Sequence, residues 1–323
     1  MRKCAVSVEI RMSDPVSISW LPDSVLLEVL SFLSVRDLIR SGRVCKRWKR
    51  MISDKTLWKH VNLTPYKLNS KIMWHFVRHW LRTSLQTLKL KGLLHSVKKQ
   101  EYLTPAILQE MAKRFSCLEN LHLEQTSLHS ISYDCFPSTL KTLELSQCEI
   151  PMVWFNASSN QSRSLPKLEN LMLNNVSSFS NHHLETVCSQ SVLKTLFLSG
   201  TYRVTDIGIQ KSLLFLKGLQ HLKLQSCNIT DIALHLIGCH LKCLQTLALT
   251  NISMTDAGLA CLSSIKTLEK LWLEYSIHLS SDSIIAVCVT LPALNFLCLN
   301  GIFEGHGSID EIKKKLPNCK VTC

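Results

Sequence analysis

The sequence predicts an α/β chain in two parts: three N-terminal helices, then a solenoid whose short parallel strands line a concave sheet and whose helices lie outside it. Three observations predict this. The pattern LxxLxL recurs nine times; an apolar-Thr-Asp tripeptide recurs between its later copies; and a helix that is apolar on nearly every side precedes them all.

The clearest copies are LQHLKLQSCNITDIAL, from Leu219, and LQTLALTNISMTDAGL, from Leu244. Within each, the second and third leucines alternate with variable residues, so the leucines share one face of a strand and the residues between them the other. The first leucines of the nine copies stand at 85, 118, 140, 168, 193, 219, 244, 268 and 294, and five of the eight spacings fall between 24 and 26 residues. Such a period, with Cys or Asn after the strand, is that of a leucine-rich repeat. A unit so small cannot bury its own apolar face, so the copies must stack into a horseshoe. Thr205, Thr230 and Thr255 are expected to cap helices that begin with Asp206, Asp231 and Asp256, where an acid suits the positive end of the helix dipole. Trp58, Val61 and Leu63 form a degenerate tenth copy, and Leu316–Val321 a terminal strand stub. The 33-residue first spacing implies an insertion around 91–100, and the 22-residue spacing from Leu118 leaves room only for a turn near Ser132-Tyr133-Asp134. Residues 156–162 read as a polar loop, and Ser70–Leu81 as a helix in which Ile72, Phe76 and Trp80 pack alongside Met73, Val77 and Leu81.

The first helix is read from WLPDSVLLEVLSFL, opened by Pro22 with Asp23 or Ser24 as its cap. Seven of the nine residues from Val25 to Leu33 are apolar, whereas a helix on a globular surface shows one apolar stripe. Both sides of this helix should therefore be covered. Ser34 caps a second helix, which ends at Gly42, and Val44, Trp48 and Ile52 would form the inward stripe of a third. A domain of this size is a meagre core, so the first helix asks for a partner. Covering four of its large side chains would contribute on the order of 6 to 12 kcal/mol before the costs of docking. Residues 1–16 carry no periodicity and read as a tail; the first domain is placed at 17–63 and the repeats at 64–323.

These residues carry a resemblance. Leu21-Pro22-Asp23, Leu26-Leu27-Glu28, Leu30, Leu33, Asp37-Leu38, Arg43-Val44-Cys45, Arg47-Trp48 and Leu57-Trp58 resemble an F-box, and an F-box followed by these repeats is similar to the F-box/leucine-rich-repeat substrate receptors. The resemblance implies a three-helix F-box that docks on the Skp adaptor of a Skp-cullin-F-box ubiquitin ligase, and through it on cullin and RING subunits, while the repeats hold the protein to be ubiquitinated and degraded. Leu21, Pro22, Leu26, Leu27, Leu30, Leu33, Val44 and Trp48 would carry adaptor binding or the packing beneath it. Two other readings are an adaptor-bound scaffold with no part in degradation and a basic RNA-associated repeat protein.

Substrate would lie on the concave row formed by Lys89, His122, Glu144, Met172, Phe197, Lys223, Ala248, Trp272 and Cys298. Aromatic anchors dominate protein interfaces, which singles out Phe197 and Trp272, with Met172, His221 and Lys223 beside them. The alternative is that a neighbouring loop covers these aromatics. A net charge of +13 favours an acidic partner, phosphorylated or not; without a basic stripe studded with aromatics it does not point to nucleic acid. No catalytic motif, cofactor loop or metal-ligand set is present: Cys239-His240 with Cys243 straddles a helix end, with no second pair at ligand spacing. The 14 cysteines are read as reduced, Cys148 and Cys227 filling the repeat's small buried slot. No run is long and apolar enough for a membrane span or a signal peptide, so residence in the cytoplasm or nucleus is expected.

Overall fold

A computed structural model describes residues 18–94, 101–155, 165–276, 278–303 and 306–322. The N-terminal tail, most of the insertion around 91–100 and the polar loop at 156–162 lie outside the described residues. The chain divides into two compact units, Met1–Leu57 and Trp58–Cys323. Trp58–Leu63, placed in the first domain on sequence, goes with the sheet because Val61 pairs in register with Leu88.

In the first unit, α1 (Asp23–Ser31), α2 (Val35–Ser41) and α3 (Lys46–Met51) follow a short 3-10 turn. Ser34 caps α2 as expected, its hydroxyl accepting from the Asp37 N–H. Two local expectations fail. The N-cap of α1 is Pro22, which leaves Asp23 free to bind another helix. Its carboxylate accepts from Arg47 Nε at 2.9 Å, Arg47 Nη2 at 2.7 Å and Arg50 Nη2 at 2.7 Å. Arg47 also donates to the carbonyls of Ser19 and Leu21, so one guanidinium ties the start of α1 to α3. These hydrogen bonds hold the Asp23 carboxyl below its ordinary range. The third helix starts later than expected, at Lys46, which removes Val44 from its inward stripe; Ile52 is buried as expected, and Met51 with it. Gly42 ends α2 as expected, in a right-handed conformation. A Cβ there would sit 2.2 Å from Ile52 Cδ1, so the glycine lets Ile52 reach the core.

The second unit is one parallel sheet whose eleven strands follow chain order: β1 (His60–Asn62), β2 (Thr87–Lys91), β3 (Asn120–Glu124), β4 (Thr142–Ser146), β5 (Asn170–Asn174), β6 (Thr195–Ser199), β7 (His221–Gln225), β8 (Thr246–Thr250), β9 (Lys270–Glu274), β10 (Phe296–Cys298) and β11 (Lys320–Thr322). Every leucine of the nine motifs is buried. Between strands run α4 (Ser70–His75), continued by a π-helical turn at Phe76–Trp80, α5 (Pro105–Arg114), α6 (Asn181–Gln190), α7 (Asp206–Ser212), α8 (Asp231–His240), α9 (Asp256–Ala260), α10 (Ser281–Val289) and α11 (His306–Lys315). The short copy from Leu118 makes only a 3-10 turn at Tyr133–Cys135. Tyr133, Phe136, Trp154, Phe155 and Phe179 interlock there, mostly edge to face, with Trp154 Nε1 donating to the Ile131 carbonyl at 2.7 Å. Aromatic bulk thus occupies the space that a helix fills in the regular repeats.

Three ladders join the repeats. Where β3 to β9 end, one residue turns left-handed: Gln125, Gln147, Asn175, Gly200, Ser226, Asn251 and Tyr275 all have positive φ. Each of these residues donates its N–H to a carbonyl of the next repeat, as Gly200 does to Gln225 at 2.9 Å. At Gly200, φ is +63° and a Cβ would meet Asn175 Oδ1 at 2.1 Å. The second ladder runs along the helix starts. Asp231 accepts from the Thr255 N–H at 2.9 Å and from its hydroxyl at 2.6 Å; Asp206 does the same for Thr230, and Asp256 for Ser280. The repeated Thr-Asp therefore couples neighbouring caps; the Thr230 and Thr255 hydroxyls also cap their own helices, whereas that of Thr205 makes no cap bond and accepts from Asn181 Nδ2 at 2.8 Å. The third ladder is the buried cysteine slot, in which Cys148 Sγ donates to the Leu123 carbonyl and Cys227 Sγ to that of Leu198. All twelve described cysteines are free thiols. No described helix is long and apolar enough to cross a membrane.

Candidate binding surfaces

The first unit offers an apolar surface of its own. In α1, Leu26 is 0% and Leu30 1% exposed, one turn apart on the inner side. Val25, Val29 and Phe32, at i, i+4 and i+7, form a second stripe that is exposed, with Phe32 at 84%. Trp20, Leu33 and Val44 are exposed as well. Of the residues singled out on sequence, Pro22, Leu33 and Val44 are therefore at the surface, and Leu21, Leu27 and Trp48 are half-buried. Leu26 and Leu30 belong to the packing beneath and cannot touch a partner. Val25, Val29 and Phe32 are not among the residues singled out on sequence, although their spacing is visible there: two apolar stripes on one helix do not say which of them faces inward.

On the sheet, the residues between paired leucines fall into one continuous row. Lys89, His122, Glu144, Met172, Phe197, Lys223, Ala248, Trp272 and Cys298 are in register across nine strands. His221 lies on β7 two residues before Lys223, level with Thr195 and Thr246. Charge dominates one end of the row: Lys91 Nζ bonds Glu124 at 2.6 Å, and His122 Nδ1 bonds Glu144, an interaction that draws the Glu144 carboxyl below its ordinary range.

The other end is apolar. Phe197 stands between Met172 and Lys223, and beyond Ala248 the Trp272 ring leans on Phe296, with centroids 4.9 Å apart at 43°. Two depressions flank Lys223. One, of about 270 Å³, opens over Ala248 between Phe197 and Trp272; the other, of about 290 Å³, is lined by Met172, Phe197 and Glu144. The aromatics are half-buried, and no described loop encloses either depression. Glu274, at the edge of the first, accepts from Thr250 Oγ1 at 3.0 Å, Asn300 Nδ2 at 3.1 Å and Cys298 Sγ at 3.5 Å. Phe296 and Glu274 escape a reading of the sequence because they flank the leucine pairs instead of lying between them.

Cys239 and Cys243 are both exposed. Cys239 Sγ lies 3.7 Å from His235 Nε2, and Cys261 Sγ 3.7 Å from His235 Nδ1. Among the described residues no three such groups converge on a metal position.

Comparison with known proteins follows the same division. An F-box-like family model matches residues 18–64. The human F-box/LRR-repeat protein 12 is 38% identical over 307 residues, covering 93% of this chain and 94% of its own, and the mouse protein of that name is 37% identical over the same shares. A solved yeast structure, of a complex of Rad7 and Elc1, superposes with a TM-score of 0.53 at 16% identity, covering 93% of this chain and 85% of that one, a likeness of fold. With an F-box-like unit at 18–64, eleven stacked parallel strands and this identity along nearly the whole length, the chain belongs to the F-box/LRR-repeat protein family.

Proposed function

We propose that this chain is the substrate receptor of a Skp-cullin-F-box ubiquitin ligase. Its F-box binds a Skp-type adaptor, which brings the cullin and RING subunits, and its sheet holds a protein for ubiquitination and degradation. The receptor is not itself catalytic. By holding a target beside a ubiquitin-charged enzyme it raises the effective concentration of the target's lysines at the thioester.

The observation that carries this reading is the second stripe of α1. Val25, Val29 and Phe32 are exposed beside Leu33 and Val44 in a unit of family-typical sequence. Apolar patches on a small domain mark interaction sites, and the helix that carries Val25 and Val29 is anchored to α3 by the Asp23–Arg47 pair. Pro22, Leu21, Leu27 and Trp48 border the surface, while Leu26 and Leu30 hold its shape. Co-expression of the tagged chain with a Skp-type adaptor tests the proposal. The unmutated chain should recover the adaptor and, with it, cullin and RING subunits; recovery of none of them would end the receptor reading. Proteins that accumulate in cells when residues 18–64 are deleted would be the degraded targets. Adaptor recovery with no such accumulation would leave a scaffold in place of a receptor.

A further inference from the structure

This inference rests on the receptor reading and concerns what the sheet holds. Lys223 differs from the other charges on its face. Lys91 and His122 are engaged by carboxylates from neighbouring strands, and Glu274 by three donors. Lys223 makes no ion pair among the described residues, and its in-register neighbours are Phe197 and Ala248. Lys89, Lys270 and Lys320 are also cations of this face, but all three are exposed, although Lys270 and Lys320 stand level with Phe296. Among the described residues Lys223 is the half-buried lysine of this face that makes no ion pair, with Phe197 and Ala248 on its two sides, and a ligand carboxylate would meet it where water is already partly excluded.

The two depressions set the rest of the pattern. They lie on opposite sides of Lys223, one reached across Phe197 towards Met172 and the other across Ala248 towards Trp272. Neighbouring strands of a sheet are about 4.8 Å apart. A ligand chain lying across the strands in extended form presents every second side chain to the same face, about 6.7 Å apart. With an acidic side chain over Lys223, the residues two before and two after it fall over the two depressions. Each depression, at about 270 and 290 Å³, has room for an apolar side chain. The small side chain of Ala248 is what opens the slot beside Trp272.

Phosphate fits less well. Recognition of phosphorylated segments relies on arginine, whose planar fork binds the oxygens in pairs. None of the residues that β1–β11 turn to this face is arginine. A lone lysine between Phe197 and Ala248 is suited to a carboxylate with apolar neighbours. The chain's net charge of +13 also steers acidic segments towards it.

We propose that the sheet's open face captures an extended, unphosphorylated protein segment of the pattern apolar-x-acidic-x-apolar, its carboxylate on Lys223 and its two apolar side chains in the slots walled by Met172–Phe197 and by Phe197–Trp272.

The test uses the full-length chain and three fluorescein-labelled peptides: Ser-Leu-Ser-Asp-Ser-Leu-Ser, its Asn counterpart and its phosphoserine counterpart. Fluorescence anisotropy should show the Asp peptide binding at least tenfold tighter than the Asn peptide and tighter than the phosphoserine one. Lys223→Glu should remove this preference, Lys223→Arg should retain it, and Ala248→Leu should abolish binding by filling the slot, each with an unchanged unfolding midpoint. Tighter binding of the phosphoserine peptide, or equal binding of Asp and Asn peptides, would overturn the assignment. No binding of any peptide by a preparation that still recovers the adaptor would overturn it too, leaving the receptor reading intact. Failure to recover the adaptor would instead strike the receptor reading.

Discussion

Phe32→Ala separates an adaptor-binding surface from the core beneath it. The ring is 84% exposed, so in the free chain it contributes little, and its loss should cost below about 0.5 kcal/mol, as for other surface substitutions. Complete burial of a phenylalanine side chain stabilises by about 1.5–3 kcal/mol, and nearly all of that remains to be gained in a complex. Its removal should therefore weaken adaptor binding by about 2 kcal/mol, roughly 30-fold in Kd. Leu26→Ala is the counterpart: the residue is 0% exposed, and truncation there should cost about 2–5 kcal/mol of stability by leaving a cavity. Calorimetric titration with a purified Skp-type adaptor gives the first quantity, and urea unfolding of the free chain gives the second. If Phe32→Ala binds the adaptor as tightly as the unmutated chain, or destabilises the free chain as much as Leu26→Ala does, the assignment of the two stripes is wrong.

Asp231→Ala breaks both hydrogen bonds to the Thr255 cap and should lower stability by about 1–2 kcal/mol, seen as a lower urea midpoint. Gly200→Ala should cost about 1–2 kcal/mol from the left-handed backbone alone, and more from the clash with Asn175 Oδ1; thermal unfolding checks it. His183 is buried and neutral: Nδ1 accepts from the Ser180 N–H at 3.1 Å and Nε2–H donates to the Pro151 carbonyl at 2.9 Å, and burial holds its pKa below the ordinary 6.5. The unfolded chain then takes up this proton first, so the contribution of His183 is full above pH 6.5 and is lost as pH falls through the folded value. Unfolding midpoints at a series of pH values should fall below 6.5 more steeply for the unmutated chain than for His183→Asn. Burial raises the thiols of Cys148 to about 11 and Cys188 to about 12. Under native conditions iodoacetamide should therefore label exposed Cys117, Cys239 and Cys243 well before either.

The repeats are legible in the sequence because each leucine does the same work in every copy, so period alone places the strands and the outward row from Lys89 to Trp272; its last member, Cys298, is buried beside Glu274. Even the copy without an α-helix is visible, in the 22-residue spacing after Leu118. What period does not show is contact between copies. The acid of each Thr-Asp pair reads as a local dipole partner, yet its oxygens reach the cap of the following repeat, some 24 residues on. In the same way Asp23 reads as a cap, whereas Arg47 and Arg50 claim it from another helix. The N-terminal helix is harder for a different reason. Leu26–Leu30 and Val25–Val29–Phe32 are equally apolar stripes, and only the packing of α1 within its unit decides between them. Val44 looks like a helix residue because a start at Cys45, capped by a thiol in place of a hydroxyl or carboxylate, gives a weak signal. On the sheet, Ala248 is in sequence one more outward residue; that its smallness opens a slot beside Trp272 follows only from the register with Lys223.

The most direct measurement is hydrogen exchange on the full chain, alone and mixed with a Skp-type adaptor, after light scattering has established the mass of the mixture. The account predicts a one-to-one complex in which amides of residues 23–33 are strongly protected while those of the strands from β5 to β9 are unchanged. Two species eluting separately, or protection confined to the strands, would contradict it.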